Sequence, residues 1–315
     1  MARRIGLVLG GGGLTGTAFH AGVIAGLADH GWDARDAQVV VGTSAGSTSA
    51  ILLRSGLPPA DFVARMAGEP PSPEGRRVLD GIGPVRAPRS LGPRARRPAS
   101  PALLGALARR PWAYRPAHLP AGLLPAGTRD VTDSVAGIGA LFEVWPARPT
   151  WIVAVRLTDG QRVVFGRDAT ATVREAVSAS CAIPGYFAPI PIDGQSYVDG
   201  GVWSTHNLDL VAGLGLDVVV VSAPLATDST RALDHGNVLR VPVRRHLGRE
   251  ATLVRRAGTA VVVVAPDRRL RTVMGTASMR IERRPPVAVA TRALVRRLAA
   301  SGSLDPVLTA VLDGA

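Results

Sequence analysis

This 315-residue chain contains no lysine; all 37 of its basic residues are arginine. It has one cysteine, Cys181, which excludes an internal disulfide and suits a reducing compartment. Aromatic residues make up only 4% of the chain. No apolar run approaches the ~20 residues needed to cross a bilayer. The opening Met-Ala-Arg-Arg-Ile-Gly-Leu-Val-Leu begins like a signal peptide. Four glycines then end the apolar stretch and no cleavage site follows, so a first strand is the better reading. These features point to a cytoplasmic location, with peripheral membrane contact as an extension. A hydrophobic content of 46% over this length allows a sizeable buried core.

The net charge is +13. A GC-rich coding sequence would enrich Arg, Ala, Gly and Pro together, while attraction to anionic lipid or nucleic acid is the functional alternative. The charge is uneven. Residues 84–125 carry eight arginines, nine prolines and no acidic residue, which leaves only about +5 for the rest of the chain.

The segment 39–48, Val-Val-Val-Gly-Thr-Ser-Ala-Gly-Ser-Thr, runs a β-branched stretch into Gly-x-Ser-x-Gly and then into helix-compatible sequence. Strand, sharp turn and helix place Ser44 at the apex, and Gly42 and Gly46 leave room for the turn. A serine held in this way is a candidate nucleophile. Upstream, Ile5–Leu9 reads as a buried strand, 10–13 as a glycine loop, and about 15–30 as a helix ended by Gly31. With a strand at 38–41 and a helix at 45–53, two strand–glycine–helix units fall within 55 residues and indicate an α/β sheet.

Residues 70–130 break this rhythm. Prolines recur too often for a long helix or central strand, so a long loop or cap is expected, with one short helix near 102–109. Apolar residues among its arginines fit either an irregular insertion packed on the core, or a lid or an interfacial patch that meets lipid with Trp, Tyr and Arg. Order resumes with a hairpin, 151–157 and 161–165, around Thr158-Asp159-Gly160. Further expectations are helices at 172–180, 207–214 and 287–299, strands at 197–198, 217–222 and 260–265, and a last short helix capped by Ser303.

Three elements fit one acyl-transfer site. Backbone N–H groups of the glycine loop, beside a helix N-terminus, suit an oxyanion. Ser44 supplies the nucleophile. Asp199, 155 residues later, is held on the tight turn Asp199-Gly200-Gly201. The histidines are His20, His30, His118, His206, His235 and His246, and none sits in a clear motif. His206 is the best positional candidate for a triad. Without a histidine, Asp199 is itself the base. Gly11-x-Gly13-x-x-Gly16 also fits a dinucleotide fingerprint, but no acidic residue ends the second strand to hold a ribose.

Gly11-Gly12-Gly13-Leu14-Thr15-Gly16, Gly42-Thr43-Ser44-Ala45-Gly46 and Asp199-Gly200-Gly201, in that order, resemble the patatin-like phospholipases. Two further stretches agree: Ala-Ser-Cys-Ala-Ile-Pro-Gly-Tyr-Phe-Ala-Pro at 179–189, and Asn207-Leu208-Asp209-Leu210. The resemblance covers 5–56 and 172–225 well and is thin over 60–150. It implies a three-layer α/β/α fold with a mainly parallel sheet, as one acyl hydrolase domain over 1–315 with 70–130 as an insertion or cap. It implies a lipid acyl hydrolase or esterase with Ser44 as nucleophile, Asp199 as base and an oxyanion hole from Gly11, Gly12 and Gly13. No metal or cofactor is expected. The implied partners are a lipid ester and, through 84–125, an anionic membrane surface, with no nucleic acid. A non-catalytic scaffold that binds acyl chains or an anionic membrane is the alternative. Thr15 stands where the family's loop usually carries Arg or Lys, which removes a positive charge near the developing anion. Cys181 is expected to be a small residue packed behind the nucleophile.

Overall fold

A computed structural model describes residues 3–82, 87–93, 97–228, 240–302 and 304. β1 (Ile5–Leu9) leads through the glycine loop into α1 (Gly13–Ala28), and β2 (Val39–Thr43) turns at Ser44 into α2 (Ala45–Arg54). α3 (Pro59–Ala67) and α4 (Pro73–Asp80) follow. Next come β3 (Arg89–Ser90), α5 (Pro101–Arg109), α6 (His118–Leu123), β4 (Arg129–Asp130) and α7 (Thr132–Gly139). A hairpin of β5 (Thr150–Arg156) and β6 (Arg162–Phe165) precedes α8 (Val173–Ser180). A second hairpin joins β7 (Ile190–Ile192) to β8 (Gln195–Asp199). β9 (Val218–Ser222), α9 (Arg240–Arg256), β10 (Ala260–Val264), α10 (Arg268–Met274) and α11 (Arg284–Ala300) follow.

The main sheet runs β10-β9-β1-β2-β5-β8-β7, with β6 also paired to β5. The five strands from β10 to β5 are mutually parallel. Burial on both sides explains why they are valine-rich rather than alternating. Leu7, Leu9, Val40 and Val220 pack in one cluster with residues of α1, α2, α8 and α11. Val8, Val41 and Val221 pack on the other side with Leu247, Ala251 and Val254 of α9. The result is a three-layer α/β/α fold with a mainly parallel sheet, as expected.

The pairing along β5 decides where the site lies. β2 runs parallel to β5 and ends with Thr43 opposite Val153. β8 runs antiparallel and ends with Asp199 opposite Ala154. β6 pairs with β5 from Ile152 to Val155, so it occupies the other edge. β2 and β8 therefore meet head to head along a single edge of β5, and the residues that leave their ends, Ser44 and Asp199, come together.

Several expectations need correction. Segment 70–130 is not one long loop with a single helix, because α4, α5 and α6 all lie within it. Pro73 and Pro101 each stand at a first helical position, where a missing N–H costs nothing, and Ser72 and Ser100 cap the same helices. The helix expected at 207–214 is only a 3-10 turn, Leu208–Val211. Asn207 before it is left-handed, as are Gly213 and Gly215 after it. α9 and α10 were not anticipated, since arginines crowd their apolar stripes. Ser303 and His235 lie outside the described residues.

Candidate active site

Ser44 adopts φ 53° and ψ −119°, a strained conformation for a residue with a Cβ, at the apex between β2 and α2. The two glycines beside it are required by space. A Cβ on Gly42 would lie 2.7 Å from Ser47 Cα, and one on Gly46 would run into the backbone carbonyl of Leu9 in β1. Gly46→Ala is thus expected to cost roughly 2 kcal/mol or more, because β1 cannot retreat from its two strand partners. A thermal melt checks this; a variant with wild-type Tm would contradict the close packing of elbow and strand.

Asp199 is buried at the end of β8, where its carboxylate shares the cavity with Ser44 and accepts from Gly201 N–H at 2.7 Å. Burial raises its pKa from the usual 3.8 to about 6, while Ser44 and Gly201 oppose the rise. The carboxyl is a much better proton acceptor near neutrality than an exposed aspartate.

The block 179–189 supports this pair from beneath. Ser180 Oγ donates to Val153 O at 2.7 Å and accepts from Ser44 N–H at 2.9 Å. Asp199 N–H donates to Ala182 O at 3.0 Å. One short segment thus ties the backbones of both residues to β5. Nothing in the sequence marked the Ser180 hydroxyl for this task, although it lay inside a motif already singled out. Ser180→Ala would leave two buried groups unpaired, an expected loss of about 1–3 kcal/mol, read as a lowered Tm. Cys181 Sγ lies 3.4 Å from Ser44 O, and burial pushes its thiol up to about 12, so it is un-ionised behind Ser44.

The glycine loop is fixed by its neighbours. Gly10 N–H donates to Ser222 O at 3.0 Å, and Gly11 N–H donates to Thr205 O at 2.8 Å. His20 lies between two acceptor-capable groups. Its Nε2–H donates to Gly10 O at 2.7 Å, which leaves Nδ1 to accept from Ser222 Oγ at 2.7 Å. Burial lowers its pKa to about 4, so it stays neutral. Gly11 has therefore committed its N–H, while Gly12 and Gly13 have no acceptor among the described residues. Thr15 turns away from a substrate role: its N–H donates to Ser278 O at 3.0 Å and its hydroxyl reaches back to Gly12 O at 3.5 Å.

The histidines stand elsewhere. His206 is buried, bonds Thr205 Oγ1 through Nδ1 at 2.9 Å, and packs its ring against Gly10. His118 bonds Gly160 O at 2.9 Å. His246 contacts Arg115 and Glu250. Among the described residues, no histidine bonds Ser44 or Asp199, and no group of three or more His, Cys, Asp or Glu gathers at metal-binding range.

Ser44, Asp199 and Gly11, Gly12 and Gly13 open onto one cavity of about 330 Å³. Its other walls are mostly apolar, with Ile183, Pro184, Val202 and Leu225 among them. Ala117, Pro120, Ala121 and Leu124 close one side. The proline- and arginine-rich insertion is thus part of the cavity wall rather than a remote ornament. Two helix N-termini, those of α1 and α2, begin at this cavity and direct positive dipole ends toward it.

A buried serine–carboxylate pair at a strand–helix elbow, beside a glycine loop in a three-layer α/β fold, defines the class. The model of the patatin-like phospholipase family matches residues 7–212, and the chain belongs to that family. Among solved structures, the chain is similar to VipD from Legionella pneumophila, with 15% identity and a TM-score of 0.41. That match covers 95% of this chain and 67% of the other.

Proposed function

We propose that this protein is a serine acyl hydrolase that cleaves carboxylic esters of lipids. The observation that carries the reading is that Ser44, at its strained elbow, and buried Asp199 line one largely apolar cavity, with Asp199 raised to about 6 by burial. In the first half-reaction Asp199 takes the Ser44 proton as Oγ attacks the ester carbonyl. The N–H groups of Gly12 and Gly13 and the N-terminus of α1 stabilise the tetrahedral oxyanion; each such donor is worth about 10²–10³ in rate. Collapse expels the alcohol, which takes the proton from Asp199, and leaves an acyl ester on Ser44. Water then attacks that ester, Asp199 takes the water's proton, and the proton returns to Ser44 as the fatty acid leaves. Gly11 supplies no donor, because its N–H is already bonded to Thr205 O. No positive side chain is called on, which matches the place of Thr15 in the loop.

The test is labelling by a fluorophosphonate together with turnover of a medium-chain p-nitrophenyl ester. Wild type is expected to label and turn over, and Ser44→Ala to do neither. A folded wild type that neither labels nor hydrolyses would leave the lipid-binding scaffold as the better account.

A further inference from the structure

We propose that the outer face of 112–124 docks onto an anionic lipid bilayer and feeds lipid into the cavity behind it. α6 has two faces. His118, Ala121 and Gly122 are buried, and Ala121 reaches the cavity wall. Leu119 and Leu123, four residues apart and so on a shared face, are 53% and 54% exposed. Trp112, in the turn just before, is 81% exposed. Leu124 is 39% exposed and lines the cavity as well, so the outer patch and the cavity are continuous at that residue.

Isolated exposed leucines are ordinary, but four large apolar side chains within thirteen residues at a cavity mouth are not. The surroundings select the occupant. Arg109 and Arg110 are exposed next to Trp112, and no acidic residue lies anywhere in 84–125. Tryptophan, leucine and arginine without carboxylates is the chemistry of an interfacial segment that sinks into headgroups of negative charge. The patch is also held firmly. Arg115 donates to Trp203 O at 2.7 Å and stacks on the Trp203 ring at 4.5 Å, and His118 is tied to Gly160. The segment is therefore presented in a set orientation over the cavity. This inference rests on the proposed ester chemistry only for the reason a bilayer is useful, so its test is made without turnover.

The experiment is cosedimentation of the Ser44→Ala protein with vesicles of phosphatidylcholine alone and of phosphatidylcholine mixed with phosphatidylglycerol. Binding to the mixed vesicles, falling as salt rises, is expected. Adding Trp112→Ala, Leu119→Ser and Leu123→Ser should weaken it at least tenfold, and so should adding Arg109→Glu and Arg110→Glu. All these side chains are exposed, so each variant should keep its parent's Tm; in the wild-type Ser44 background, hydrolysis of a short soluble ester should be unchanged. Absence of vesicle binding overturns the proposal, as does binding that ignores both sets of substitutions. Self-association that the apolar substitutions abolish, without vesicle binding, would make a second copy the occupant and equally overturn it.

Discussion

Ser44→Ala is expected to lower kcat/KM for a medium-chain p-nitrophenyl ester by about 10⁴-fold or more, and Asp199→Asn by nearly as much. The alanine removes the attacking oxygen. The asparagine leaves an oxygen for Gly201 N–H but cannot take the Ser44 proton. In the proposed step the two residues act on a single proton, so the double variant should be scarcely worse than either single one, and strict additivity would count against a shared step. Replacing His206, His235 or His246 singly should cost less than about tenfold, since neither described member of the three touches the pair. Collapse with one of them would turn the dyad into a triad. What remains in Ser44→Ala should be the slow attack of water on bound ester, assisted only by the oxyanion donors and the cavity.

Asp199 should also make the protein less stable at the pH where it works. Its folded pKa of about 6 lies above the usual 3.8. Below about pH 4 the carboxyl is neutral in folded and unfolded chains and contributes no difference. Between 4 and 6 the unfolded chain ionises while the folded chain keeps its proton, so folding loses ground as pH rises. Above 6 the loss levels off at about 3 kcal/mol, from roughly two pKa units at 1.36 kcal/mol each. Two results follow from this sign. Wild-type kcat/KM should rise with pH through about 6 and then flatten, as the base loses its proton. Asp199→Asn should melt several degrees higher than wild type at pH 8, with the gain fading toward pH 4, although it is inactive. A variant less stable than wild type at pH 8 would show that Ser44 and Gly201 outweigh burial.

The local features of this protein were legible along the chain. Gly-x-Ser-x-Gly after a valine run has few steric solutions, and the strained turn at Ser44 is one of them. Likewise the glycine run after Ile5–Leu9 and the β-branched, unalternating strands imply a buried parallel sheet without reference to anything distant. Proline counting misled over 70–130, because composition does not reveal that Pro73 and Pro101 stand at first helical positions, where their missing N–H is harmless. The donors were read too simply as well: three glycines offered three N–H groups, but Thr205, nearly two hundred residues away, takes the one from Gly11. The family-like motifs joined Asp199 to Ser44, yet nothing between them in sequence says how they meet. That was decided by strand pairing, with β2 and β8 arriving from opposite directions at Val153 and Ala154 of a third strand. Turns and strands follow from sterics within a few residues, whereas the meeting of Ser44 with Asp199, and the placing of Ala117, Pro120, Ala121 and Leu124 in the wall of the same cavity, exist only once distant strands have found their register.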